Sequence, residues 1–179
     1  MITLSENPLI LQTEFELEDK DFLINVIREK ATRDQSKTAI RLNVAYSKIY
    51  QPWKEDIPDF EPCRQIFTAK ISEMLKGKYV CKRDLWGLDY ENGEGTSMHD
   101  HGGTNNNAYS AIYYLVADEG CGSLVFGNPW IEIEPKPNMF VLFDCKVLHG
   151  VLPAVNEKAK RTCIAMNARF DHESIRLPE

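Results

Sequence analysis

The chain has 179 residues, of which 43% are hydrophobic and 27% charged, and a formal net charge of −6. That length suits one domain with a buried core, and an acidic balance without any basic run argues against nucleic acid as a partner, because a phosphate backbone calls for a cationic stripe. No apolar run approaches the ~20 residues that span a bilayer, and the start, Met1 to Glu6, lacks the basic and apolar regions of a secretory signal.

Five cysteines, Cys63, Cys81, Cys121, Cys145 and Cys163, are odd in number, widely spaced and free of any CxxC pair. They read as reduced thiols filling core positions, not as a disulfide framework or a cysteine-based zinc site. A reducing, cytoplasmic setting is the matching expectation.

The first predicted element is a helix. Phe22, Leu23, Val26 and Ile27 form an apolar stripe behind the acidic start Glu18-Asp19. Ile40, Leu42, Val44 and Tyr46 then alternate like a half-buried strand. A longer helix follows through Cys63, Ile66, Phe67, Ile71, Met74 and Leu75, with Asp59 as its cap, Pro62 in its first turn and Gly77 at its end. From residue 79 the pattern turns to β. Trp86, Leu88 and Tyr90 alternate, and Tyr109 to Val116 is aromatic and β-branched. Ser123 to Phe126, Trp130 to Glu134, Met139 to Phe143 and Arg161 to Met166 continue the series. Short strands broken by Gly, Asn and Pro imply a sandwich or jelly roll, and helices placed ahead of them imply a brace on one sheet face. No linker, repeat or low-complexity stretch divides the chain, so residues 1–179 read as a single domain with its β core at about 79–170.

Chemistry concentrates on the histidines His99, His101, His149 and His172. His99 and His101 stand at i and i+2, so on an extended segment both side chains leave from one face, as adjacent metal ligands must. A polar loop that gathers histidines by chance would give the same pair. His149 strengthens the metal reading: it follows the apolar strand Met139 to Phe143, which Asn138 can introduce by adopting the left-handed turn conformation. Three histidines arriving from strand ends form a facial set with open positions opposite, the mark of a catalytic rather than a structural ion. Asp100, between the pair, is the competing second ligand. It offers the charge that two imidazoles lack, whereas strand alternation points it away. Arg161 starts the last strong strand, twelve residues after His149. It is either a solvent-exposed strand start or, if inward, a bidentate clamp that needs an anionic partner.

Beyond these single residues, the order of motifs resembles the 2-oxoglutarate and Fe(II)-dependent oxygenase superfamily, and within it a group met in bacteria and phages that carries HxH where most relatives carry HxD. The resemblance rests on Trp86, Gly93 and His99; on Ser110 followed by Tyr113-Tyr114; on Gly120 to Phe126 with Asn128-Pro129; on the strand ending in Phe143, then His149; and on Arg161-Thr162-Cys163 in place of Arg-x-Ser. It spans about residues 79 to 170. It implies a double-stranded β-helix braced by N-terminal helices. It also implies Fe(II) held by His99, His101 and His149, and 2-oxoglutarate held by Arg161 with a hydrogen bond from Tyr90 or Tyr113. The reaction implied is hydroxylation of a small-molecule or peptidyl substrate with formation of succinate and CO2. The chain departs from the pattern at position 101, where a carboxylate is usual, at Cys163, and in the long segment Gly102 to Ala108.

Two other readings stay open. A cupin that does not use 2-oxoglutarate shares the Gly93 and HxH opening, but lacks the following Glu and would have no use for Arg161. A β-sandwich binding module could use aromatics such as Trp53 and Trp130, and would have no reason to hold redox-active iron.

Overall fold

The computed structural model describes residues 9–33, 48–50, 60–81, 85–91, 93–101 and 108–171. The predicted strand at Ile40 to Tyr46, the cap at Asp59, Trp53, His172 and most of the Gly102 to Ala108 segment lie outside these residues. In chain order the elements are β1 (Ile10–Glu14), α1 (Lys20–Lys30), β2 (Thr32–Arg33), β3 (Lys48–Tyr50), α2 (Glu61–Leu75), β4 (Tyr79–Val80), β5 (Leu85–Tyr90), β6 (Thr96–His99), β7 (Ala108–Ala117), β8 (Leu124–Phe126), β9 (Ile131–Ile133), β10 (Met139–Asp144), β11 (His149–Val151) and β12 (Arg161–Phe170).

Two antiparallel sheets face one another as a jelly roll. The larger runs β1-β10-β7-β12-β5-β3-β2, with β4 also paired to β12; the smaller runs β6-β11-β8-β9. Because side chains alternate along a strand, each long strand of the large sheet feeds two cores. Tyr113, Leu115, Phe140, Leu142, Ile164 and Met166 face the helices, where they meet Leu23, Ile27, Phe67 and Ile71. Tyr114, Val141, Phe143, Cys163 and Ala165 face inward, where they meet Leu124, Phe126 and Ile133 of the small sheet. A strand buried on both faces must be apolar throughout, which is why β7 and β10 read as continuous hydrophobic runs.

The helices hold to their predicted positions with small shifts. In α1 the buried stripe is Leu23, Ile24 and Ile27, while Phe22 is exposed. In α2 the left-handed closing residue is Lys76, φ 51°, and Gly77 donates its N–H to Ser72 O from the next position. Asn138 does take the left-handed turn ahead of β10, at φ 70°. Among the described residues no helix is long and apolar enough to cross a membrane.

Candidate active site

The small sheet brings the histidines together. β11 runs antiparallel to β6, with His149 opposite His99 and Val151 opposite Thr96. Two steps on β11 therefore answer three on β6. This bulge breaks the alternation, so Thr96, bonded to Tyr90, and His99 both face inward. Gly150 permits it: a Cβ there would lie 2.9 Å from both Thr96 O and Met98 Sδ. His101 follows β6 and is tied down by its N–H, which donates to Cys145 O at 3.0 Å.

The three imidazoles converge. One ring nitrogen from each of His99, His101 and His149 falls within 4.8 Å of the other two. The other nitrogen of each is occupied by an oxygen acceptor. His99 Nδ1–H donates to Ser97 O at 2.8 Å, His149 Nδ1–H to Val147 O at 2.8 Å, and His101 Nδ1–H to Asn167 Oδ1 at 2.9 Å. A carbonyl oxygen only accepts, so Nδ1 carries a hydrogen on all three rings, and the neutral form of each ring has its lone pair on Nε2. Burial pushes the pKa of His149 down to about 3, helped by repulsion from His99 and, more weakly, from His101, and opposed by its bond to Val147 O. In their neutral form, rings held in this tautomer would offer Nε2 lone pairs to a divalent transition metal. Asp100 is exposed and is not part of this cluster.

Arg161 lies deeper in the same interior. It is 1% exposed. One guanidinium nitrogen donates to Gly122 O at 2.8 Å, and the guanidinium carbon sits 3.8 Å above the Tyr90 ring centre. Gly122 holds φ 89° beside Leu152 O, a position with no room for a Cβ, and this turn carries the carbonyl that Arg161 meets. Among the described residues Nε and the second terminal nitrogen have no hydrogen-bond partner. A buried cation with two idle donors is costly unless an anion completes it, and a carboxylate matches that fork. Tyr90 serves Arg161 through its ring, while its hydroxyl pairs with Thr96 Oγ1 at 2.9 Å.

Tyr113 is not brought to this pocket. It lies on the helix-facing side of β7, where its hydroxyl donates to Phe15 O at 2.8 Å and to Asn138 Oδ1 at 3.1 Å. Its neighbour Tyr114 takes the inward position. Burial pushes the Tyr114 hydroxyl above its ordinary pKa, Cys163 adds to this, and the Arg161 charge opposes it; the group therefore stays a hydrogen-bond donor. Sequence reasoning named Ser110 only as a motif residue, without a role, and missed Asn167. Parity could have found all three: Ser110 and Tyr114 share one face of β7, and Asn167 shares the Arg161 face of β12. Cys163, also on that face, is pushed up to about 12 by burial, partly offset by Arg161, so a neutral thiol stands where the resemblance calls for a hydroxyl.

The fold has known counterparts. Residues 85–169 match the 2OG-Fe(II) oxygenase superfamily. No curated protein matches the chain by sequence. Among solved structures, a Pseudomonas putida prolyl-4-hydroxylase superposes with TM-score 0.62 at 17% identity, covering 90% of this chain and 93% of the other. HygX from Streptomyces hygroscopicus, with nickel, 2-oxoglutarate and hygromycin B bound, gives TM-score 0.68 at 11% identity, covering 92% and 84%. The alpha-ketoglutarate-dependent epimerase SnoN of nogalamycin biosynthesis gives 0.73 at 10% identity, covering 91% and 79%. Residues 85–169 of the chain thus resemble the 2OG-Fe(II) oxygenase superfamily, and the fold is that of these solved structures. That superfamily is one of oxygenases that use Fe(II) and 2-oxoglutarate, and the histidine cluster and the buried Arg161 fit those two cofactors.

Proposed function

We propose that residues 1–179 act as one dioxygenase domain that hydroxylates a small-molecule or peptidyl substrate, with His99, His101 and His149 holding Fe(II) and Arg161 holding the far carboxylate of 2-oxoglutarate. The observation that carries this reading is the buried guanidinium of Arg161, with two donors unpartnered among the described residues, set in the same inward core as the histidines. A cupin chemistry without 2-oxoglutarate leaves that cation unexplained. Tyr90 supports the clamp with its ring face, and Tyr114 offers a hydroxyl from the adjacent strand. When bound, Fe(II) and 2-oxoglutarate supply the activation of dioxygen, with succinate and CO2 as coproducts of hydroxylation. The protein's part is to orient the three imidazoles through their Nδ1–H bonds, fix the cosubstrate's length between Arg161 and the triad, and line the interior with Phe143, Phe126 and Tyr114 against water.

Both substrate classes have precedents among the structural neighbours. A Trichoplax adhaerens prolyl hydroxylase holds a peptide fragment, and HygX holds hygromycin B. Five free, buried cysteines fit a cytoplasmic setting. The decisive experiment is anaerobic titration of the Fe(II)-loaded protein with 2-oxoglutarate. A visible charge-transfer band that saturates at one equivalent supports the reading. Iron binding with no response to 2-oxoglutarate would transfer the assignment to cupin chemistry.

A further inference from the structure

The three histidines are not oriented alike. His99 and His149 each donate Nδ1–H to the carbonyl two residues earlier on their own segment, Ser97 O and Val147 O. These bonds are local and form with the segment itself. The ring of His101 is held from other strands of the fold. Its Nδ1–H reaches Asn167 Oδ1 at 2.9 Å on β12 and lies 3.0 Å from Ser110 Oγ on β7. Ser110 and Asn167 are register partners across the β7–β12 ladder, and Ser110 Oγ–H donates to Asn167 Oδ1 at 2.8 Å. The hydroxyl hydrogen is thereby committed to the amide, so the serine presents a lone pair to the imidazole. Both neighbours of Nδ1 are acceptors, and that leaves one tautomer for the ring.

We infer that Asn167 and Ser110 are positioning residues for the metal centre: together they lock His101 in its Nδ1–H form and aim its Nε2 at the ion. The inference rests on the proposed His99, His101 and His149 ligand set and extends it to two residues remote in sequence. Serine alone could not do this, because a free hydroxyl can donate to Nδ1 as readily as accept from it, and would then favour the Nε2–H form. The amide of Asn167 removes that choice by holding both hydrogens.

Two readouts test this on the full chain. In the metal-free protein, long-range 15N–1H correlation spectra of the imidazoles should show His101 as Nδ1–H. In Asn167→Leu, His101 should shift toward Nε2–H, while His99 and His149 keep their tautomers. Affinity for Fe(II), measured anaerobically by calorimetry, should fall about 10–100-fold in Asn167→Leu. It should fall less in Ser110→Ala and hold near wild type in Asn167→Asp, whose carboxylate still accepts from Nδ1–H. If Asn167→Leu does not fold, Asn167→Ala serves for both readouts. Unchanged tautomer and unchanged affinity in the variant, beside a His101→Ala protein that loses the ion, overturn the inference and leave the ligand set standing. A His101→Ala protein that binds Fe(II) as wild type does overturns the ligand set itself.

Discussion

Removal of the Arg161 guanidinium should separate stability from cosubstrate binding, and Arg161→Met is the variant that shows it. The side chain is 1% exposed, and among the described residues it donates to Gly122 O and leaves two donors idle. In the absence of 2-oxoglutarate it is therefore an incompletely satisfied buried cation, eased by the Tyr90 ring below it. Exchange of such a group for an apolar one of similar volume is often neutral or stabilising, so the melting temperature without cosubstrate should move by only a few degrees. Binding behaves oppositely. A carboxylate would engage both idle donors, and charge-assisted bonds of this kind contribute about 1.5–3 kcal/mol each before non-additivity. A combined loss of roughly 2–4 kcal/mol corresponds to a tens- to hundreds-fold rise in Kd, at about 1.4 kcal/mol per tenfold. Calorimetric titration of 2-oxoglutarate into the anaerobic Fe(II) protein measures the second effect, and thermal melts with and without 2-oxoglutarate measure both. Wild-type affinity for 2-oxoglutarate in an Arg161→Met protein that still holds iron would refute the clamp.

His101→Ala should lose far more iron than Asp100→Ala, because His101 lies within the nitrogen cluster and Asp100 does not; metal content after dialysis decides, and the reverse order would restore a two-histidine, one-carboxylate triad. Tyr114→Phe should weaken 2-oxoglutarate binding by roughly tenfold, the value of one hydrogen bond to a charged group. Tyr113→Phe should leave that affinity alone and cost about 1–2 kcal/mol of stability in denaturant titration, because its hydroxyl serves Phe15 O and Asn138 Oδ1. The metal-free protein should lose stability as pH falls from about 6.5 toward about 3, because the unfolded His149 takes up a proton across that window and the buried ring does not. At about 1.4 kcal/mol per pH unit, roughly 5 kcal/mol is at stake, and the pH dependence of the metal-free His149→Gln protein should be flatter by that amount.

The sequence revealed most where burial is one-sided in pattern or complete in extent. β10 and β7 announce themselves as apolar runs, and the order Trp86, His99, Ser110, Phe126, His149, Arg161 lays out the pocket along the chain. What stayed hidden has three physical causes. β6 and β11 are short and polar, Thr96-Ser-Met-His99 and His149-Gly-Val151, because they carry ligands where a core strand would carry hydrophobes. The edge strand β1, Ile10 to Glu14, alternates half-buried and exposed positions from Leu11 onward, a period-two pattern continued by Phe15 and Leu17 that the sequence reading passed over because the strand itself holds no fully buried residue. In β7, Tyr113 and Tyr114 are both buried, one in each core, so composition cannot say which faces the cosubstrate; only the register with Arg161 and the inward Ser110 decides. Bulges add to this, since the extra residue between Thr96 and His99 defeats any strict count by twos.

The division of the pocket between sheets has a mechanical consequence. The histidines come from β6, β11 and the segment after β6, whereas Arg161 starts β12 of the larger sheet. A dicarboxylate reaching from one to the other would rivet the two layers of the roll through its own carbon skeleton. The layers would then resist prising apart as a unit, and slow amide exchange would spread from β12 into the short strands β6 and β11 as the cosubstrate is added. A molecule consumed at every turnover would thus also be the fastener of the shell that encloses it, and each release of succinate would loosen the small sheet for the next exchange of contents.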